Sequence, residues 1–237
     1  MRKLILPTFF LLLSLTGVGV CYADGSFVRF AGRTVLLPSV DDYCLVTQQT
    51  ELERIIFEWM RDTQAKGGNK IFQLWIDCGT YQRLIRGEEI GNLDTWFMSF
   101  ATLTQGQERP LAGISKQKAQ QTWVKEISQL NTKYLGDRIN EIFNEVNKEH
   151  LIDTDENNIV SEPVILGVLE ETESVHWGLL MDVEGQTVAG IIGMALINEV
   201  AVSQGFYSHL VSTNTLRDLL AKSKKYSTKL HQLNAEE

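Results

Sequence analysis

Between Pro163 and Leu210 the apolar residues fall into short runs and alternations with a period of two, whereas the segments on either side repeat with the period of a helix. Val164 to Leu169 is apolar on both faces, Trp177, Leu179, Met181 and Val183 alternate, and Val188 to Ile197 is an uncharged run of ten residues. Val200, Val202, Phe206 and Tyr207 continue the pattern toward Leu210, with Glu184–Gly185 and Asn198–Glu199 as turns. Such a cluster predicts an antiparallel meander. The ten-residue run is too short to cross a bilayer, and a buried helix is its alternative reading. Ala189, Gly190, Gly193 and Ala195 leave room for something to pack closely against it.

Helical signals surround the meander. Thr50 and Glu53 have capping-box spacing, Leu52, Ile55, Ile56, Trp59 and Met60 form one apolar stripe, and Gly67–Gly68 ends it. From Ser115 to about Asn147, Trp123, Ile127, Leu130, Tyr134, Ile139, Ile142, Phe143 and Val146 predict one long helix, or two broken near Gly136. A final helix starts near Thr213 or Asn214 and carries Leu216, Leu219, Leu220, Tyr226, Leu230 and Leu233 on one side. Near the start, Phe27 to Leu37 reads as a strand or short hairpin, and Ile71 to Cys78 as an interior strand. Leu93 to Leu103 fits a strand or the beginning of a helix. Helices and strands are segregated along the chain, so the expected class is α+β: an antiparallel sheet, a long helical middle segment and a C-terminal covering helix in a single domain.

This element order, from the N-terminal strand and through Val164 to Leu233, resembles the PsbP/Mog1-like α+β group. The resemblance is one of topology and carries over no functional residue. Because the group spans photosystem accessory subunits, a regulator of a nuclear GTPase and bacterial envelope proteins, it implies a fold and no single activity.

Residues 1–23 have the layout of a bacterial-type signal peptide: Arg2 and Lys3, the apolar run Leu4 to Val20, and the small residue Ala23, with cleavage expected between Ala23 and Asp24. A retained anchor and lipidation at Cys21 are the alternatives; Pro7, Gly17 and Gly19 argue against the first, and Val20 departs from the lipoprotein pattern. The expected locations are the periplasm or the medium, with 24–237 as the folded domain and no membrane span after cleavage. Removal of residues 1–23 takes two positive charges from a chain of net charge −8, leaving −10. With no basic run to neutralise phosphates, nucleic acid is excluded as an expected partner. Lys222, Lys224 and Lys225 read as a solvated helix face.

Cleavage leaves two cysteines, Cys44 and Cys78. In an oxidising compartment their simplest state is a disulfide, with buried free thiols or a catalytic cysteine as alternatives. Other chemical signals are fragmentary. Ser115 and Lys118 form an S-x-x-K pair without its companion motifs, and read equally as a helix cap beside a solvated lysine. Asp153, Asp155 and Asn157 begin like a calcium loop, with Glu156 and Glu162 as possible further ligands, but Asn158 and Val164 occupy the positions of the glycine and the bidentate glutamate. His176 and His209 could meet across the meander, although no carboxylate or cysteine accompanies them. Phosphate-loop and dinucleotide fingerprints are absent, and no cofactor or metal is expected. The catalytic residues, if any, are unknown. The favoured expectation is a non-catalytic exported protein whose partner is another protein or envelope component. Against it stand an envelope hydrolase using Ser115, Lys118, His176 or His209, and a weak calcium or small-ligand binder.

Overall fold

A computed structural model describes residues 25–88, 93–150, 161–183 and 185–235. The predicted cleavage site at Ala23 and Asp24 and the calcium-like Asp153, Asp155, Glu156, Asn157 and Asn158 lie outside the described residues.

The first element is a hairpin of β1 (Gly25–Phe30) and β2 (Arg33–Pro38). Ala31 and Gly32 close it with φ of 52° and 75°, the positive values that a two-residue turn between twisted strands requires. Then come β3 (Tyr43–Leu45), α1 (Glu51–Lys66), β4 (Asn69–Asp77), α2 (Cys78–Ile85) and β5 (Thr95–Thr102). Two helices follow, α3 (Lys116–Ser128) and α4 (Thr132–Glu149). The meander is β6 (Val164–Glu171), β7 (Val175–Val183), β8 (Gln186–Ile197) and β9 (Val200–His209), and α5 (Thr213–Leu233) ends the fold.

The ambiguous runs Leu93–Leu103 and Val188–Ile197 are both strands, β5 and β8. Ser115–Asn147 is two helices, but the break falls at Gln129–Asn131 rather than near Gly136. There the Asn131 side chain accepts from the Tyr134 N–H and caps α4. Gly136 lies inside α4 because the chain passes close by: a Cβ there would sit 3.1 Å from Pro163 and 3.2 Å from the Glu162 backbone.

Seven strands form one antiparallel sheet in the order β3-β4-β5-β9-β8-β7-β6, and the hairpin is a separate two-stranded sheet. Alternation divides the side chains between two faces. On one face, Phe97 and Ala101 of β5, Ala189, Ile191, Ala195 and Ile197 of β8, and Val202 and Phe206 of β9 pack against α5 and the inner hairpin residues Phe30, Val35 and Leu37. On the other, Leu74, Ile76, Met98 and Phe100 meet Met60 of α1 and Leu84 of α2. Farther along that face, Val175 and Leu196 meet Ala119, Trp123 and Ile127 of α3. Helix α4 packs on α1, stacking Phe143 on Trp59 with ring centroids 5.4 Å apart. The apolar stripe of α1 is wider than its contact, so Leu52 and Ile55 remain exposed. The expected α+β architecture with a C-terminal covering helix is what the chain forms.

Two features fasten the α1 end. Cys44 in β3 and Cys78 at the start of α2 are joined as a disulfide, with Cα atoms 4.9 Å apart. Thr50 and Glu53 make the expected capping box, and the buried Glu53 carboxylate also accepts from Thr47 N–H, Thr47 Oγ1 and the Tyr81 hydroxyl at 2.7–2.9 Å. Burial alone would raise this carboxyl, but the hydrogen bonds from Tyr81, Thr47 and Thr50 outweigh it and hold it down at about 2.

Replacing Cys44 and Cys78 together with serine is expected to lower the unfolding free energy by roughly 3 to 4 kcal/mol, from the loop that the bond closes. Urea titration should place this variant level with the reduced wild type. A Glu53→Gln variant should lose about 3 kcal/mol at pH 7, because four donors lose a charged acceptor. The sign of the acid response follows from the lowered carboxyl: its stabilisation is complete above about pH 4.5 and is lost as pH falls toward 2. Titrations across that window should therefore show a flatter acid limb for Glu53→Gln than for the wild type.

Candidate functional site

The S-x-x-K residues are accounted for by local helix chemistry. Ser115 is the N-cap of α3, its hydroxyl accepts from the Lys118 N–H at 3.2 Å, and both residues are exposed. His176 and His209 do not meet. They pair with Gly193 and Val188 of β8 from opposite sides, five residues apart along that strand, an offset of about 17 Å. Ser208 faces Thr95, with their hydroxyls 3.2 Å apart, and donates to the His209 carbonyl at 3.3 Å. Glu162 accepts from Thr132 at 2.6 Å, and His150 lies 3.0 Å from Asp62. Among the described residues no group of three or more histidine, cysteine, aspartate or glutamate side chains is set to hold a metal.

Lys224 and Lys225 are exposed on α5, as the solvated-face reading has it, and Lys222 is half-buried. Lys224 pairs with Glu170 and Lys225 with Asp41 at 2.8 and 2.7 Å, while Lys222 lies 4.8 Å above the Tyr43 ring. The close packing expected at β8 is supplied by β9 itself. A Cβ at Gly190 would lie 2.9 Å from the Tyr207 ring, and one at Gly193 2.4 Å from the Gln204 amide, so each glycine provides the space for a neighbouring side chain.

Gln204 belongs to a buried polar seam between the sheet and α5. Its amide donates to the Ser223 carbonyl at 3.0 Å and to the Ser227 hydroxyl. His176 Nδ1 lies 2.9 Å from the Ser223 hydroxyl, and His231 Nε2 lies 3.1 Å from that of Ser174. Burial lowers both imidazoles. For His176, desolvation dominates the opposed fields of Glu170 and Lys224 and brings it to about 4; for His231, desolvation again leads, opposed by Glu173 and aided by Lys116. Two serine–histidine contacts thus occur, but each is buried and serves to bind β7 and its turn to α5.

The surface with the clearest unused contact capacity is the outer side of the hairpin. Phe27 and Leu36 are cross-strand partners and remain 69% and 40% exposed, with Arg29 next along β1. Beside them an open groove of about 700 Å³ runs between β2, the Asn198–Glu199 turn and the end of α5. Asn234 holds the hairpin there: its side chain accepts from the Leu36 N–H at 2.9 Å and donates to the Leu36 carbonyl at 2.8 Å. Asn198 donates to the Thr34 carbonyl at 2.9 Å. The sequence reading missed this face. Its signal was present in β1 and β2, where Phe27 and Leu36 add apolar residues to the positions opposite those occupied by Val28, Phe30, Val35 and Leu37.

The chain matches no protein-family model and no curated protein. Among solved structures it is similar to the Ran-binding protein Mog1p of Saccharomyces cerevisiae, with 10% identity over 88% of this chain and 90% of that one, at a TM-score of 0.30.

The neutral histidines make the α5 contact sensitive to acid. In the unfolded chain His176 takes up a proton near pH 6.5, whereas in the fold it does so near 4, so its contribution is complete above about 6.5 and disappears as pH falls to 4. Between those values the wild type should lose about 3 kcal/mol of stability from this residue. Urea titrations of the wild type and His176→Leu should show a shallower decline in the variant. Equal slopes would place the acid sensitivity elsewhere.

Proposed function

We propose that this chain is an exported, non-catalytic protein that acts by binding another macromolecule, and that the outer side of the β1–β2 hairpin is where it does so. The observation that carries the reading is the adjacent exposure of Phe27 and Leu36 on a two-stranded sheet whose opposite side buries Phe30, Val35 and Leu37 in the core. An apolar pair with a polar rim is the usual make-up of a contact patch on an otherwise folded surface. Export rests on the tripartite segment 1–23 and suits the Cys44–Cys78 bond, which oxidising compartments favour. Among the described residues no helix is long and apolar enough to cross a membrane.

The reading is tested in the native cell envelope with a photo-crosslinking amino acid at position 27 and, as control, at Tyr134, which is equally exposed on α4. A discrete adduct from position 27, absent from position 134, is the expected result. The same material, analysed by intact mass spectrometry, should begin at Asp24 and weigh 2 Da less than its reduced form. Equal labelling from both positions, or none from 27, overturns the binding site; a mass retaining residues 1–23 overturns processing.

A further inference from the structure

The hairpin has two edges, and they are treated differently. In its register the turn-closing pair Phe30↔Arg33 and the pairs Val28↔Val35 and Ser26↔Leu37 exchange backbone hydrogen bonds, while the intervening residues direct their N–H and C=O groups outward. On β2 three of the outward groups of Thr34 and Leu36 are occupied: both of Leu36 by the Asn234 amide, and the Thr34 carbonyl by Asn198. On β1 the outward residues are Phe27 and Arg29, and among the described residues nothing bonds to their backbone groups. The edge strands of the large sheet do not offer the same template. β6 is irregular in register at Leu166 and Leu169 and has Gly167 at φ 83°, and β3 has three residues.

Charge specifies the occupant further. Near the hairpin, Arg33 pairs with Glu199, and Lys70 with Glu108, whose other oxygen accepts from the Ala31 N–H. Arg29 is exposed and has no carboxylate partner among the described residues. It shares the outer face of β1 with Phe27, two residues away. The overall negative charge of the chain does not cancel this local preference, since charges beyond about 10 Å are largely screened at ordinary ionic strength. Building on the binding role proposed above, we infer that the β1 edge accepts an extended segment of a partner protein as a third strand, with an apolar residue against Phe27 and an acidic residue against Arg29.

Backbone pairing to Phe27 and Arg29 supplies the attachment, and the alternating side chains on the outer face supply the selection. The added strand turns the marginal two-stranded hairpin into a three-stranded sheet. A cross-strand pair of opposite charge is favourable and one of like charge is not, so the sign of the residue facing Arg29 sets the preference.

The experiment uses fluorescence anisotropy on the purified, oxidised protein with three labelled hexapeptides: one with a valine and a glutamate two positions apart among threonines, so that both lie on one face, one with lysine in place of that glutamate, and the first with its valine and glutamate amides N-methylated to block the strand edge that would face β1. The valine–glutamate peptide should bind, the valine–lysine peptide about fivefold more weakly, and the methylated peptide not at all when its blocked edge must face β1. Arg29→Glu should invert the first two while leaving circular dichroism and Tm unchanged, because the Arg29 side chain is exposed. Equal binding of the methylated peptide, or an unchanged order in Arg29→Glu, overturns the inference. So does a concentration-dependent dimer that Phe27→Pro abolishes, which would show that a second copy covers the edge. If the peptides fail while position 27 still crosslinks, strand addition is wrong and the binding role stands; if crosslinking fails too, both fall.

Discussion

The packing of α5 across the sheet is the contact on which the exposed hairpin depends. Tyr226 places its ring 4.7 Å from Phe97 and 6.3 Å from Phe206, and those two rings lie 4.5 Å apart, so one helical residue covers the junction of β5 and β9. Around it, Leu219 and Leu230 are buried with the inner residues of the hairpin. A two-stranded hairpin has little stability of its own in water. It is held because its inner face completes the α5 core and because Asn234, just beyond the last turn of α5, bonds to Leu36. Lys225 and Lys229 add pairs to Asp41 in the β2–β3 connection, and these exposed contacts contribute little beside the buried area.

The opposite side of the sheet is secured by different means. Glu53, the capping box and the Cys44–Cys78 bond gather β3, α1 and α2 at one place, and the Trp59 indole extends the assembly by donating to Asn147 of α4 at 2.8 Å. The two sides therefore respond to acid over different ranges: neutral His176 under α5 loses its contribution below about pH 6.5, and the Glu53 carboxylate below about 4.5. Both groups are internal fasteners. The outer side of the hairpin carries neither.

Much of the fold was legible along the chain because its elements have strong local periodicity. The Thr50–Glu53 box, the meander beyond Pro163 and the C-terminal amphipathic helix all use signals contained within a few neighbouring residues. Where the reading erred, the deciding group was distant in sequence. Gly136 resembles a breaker until Glu162 and Pro163 are brought against it. Chemical fragments behaved likewise. Ser115 and Lys118 satisfy a motif by spacing alone, and the fold uses the serine as a cap.

What the sequence determined by itself was the class of elements and their order, because periodicity and capping act between residues a few positions apart. It also held the candidate cysteine pair. Tertiary structure decided which strands lie side by side, which cysteine geometry closes, and which histidines are separated, since each depends on residues tens to hundreds of positions apart. It decided the exposed face of the hairpin as well: Phe27 and Leu36 are ordinary apolar residues in an alternating stretch, and only the placement of one side of the hairpin against α5 and the large sheet leaves them facing outward.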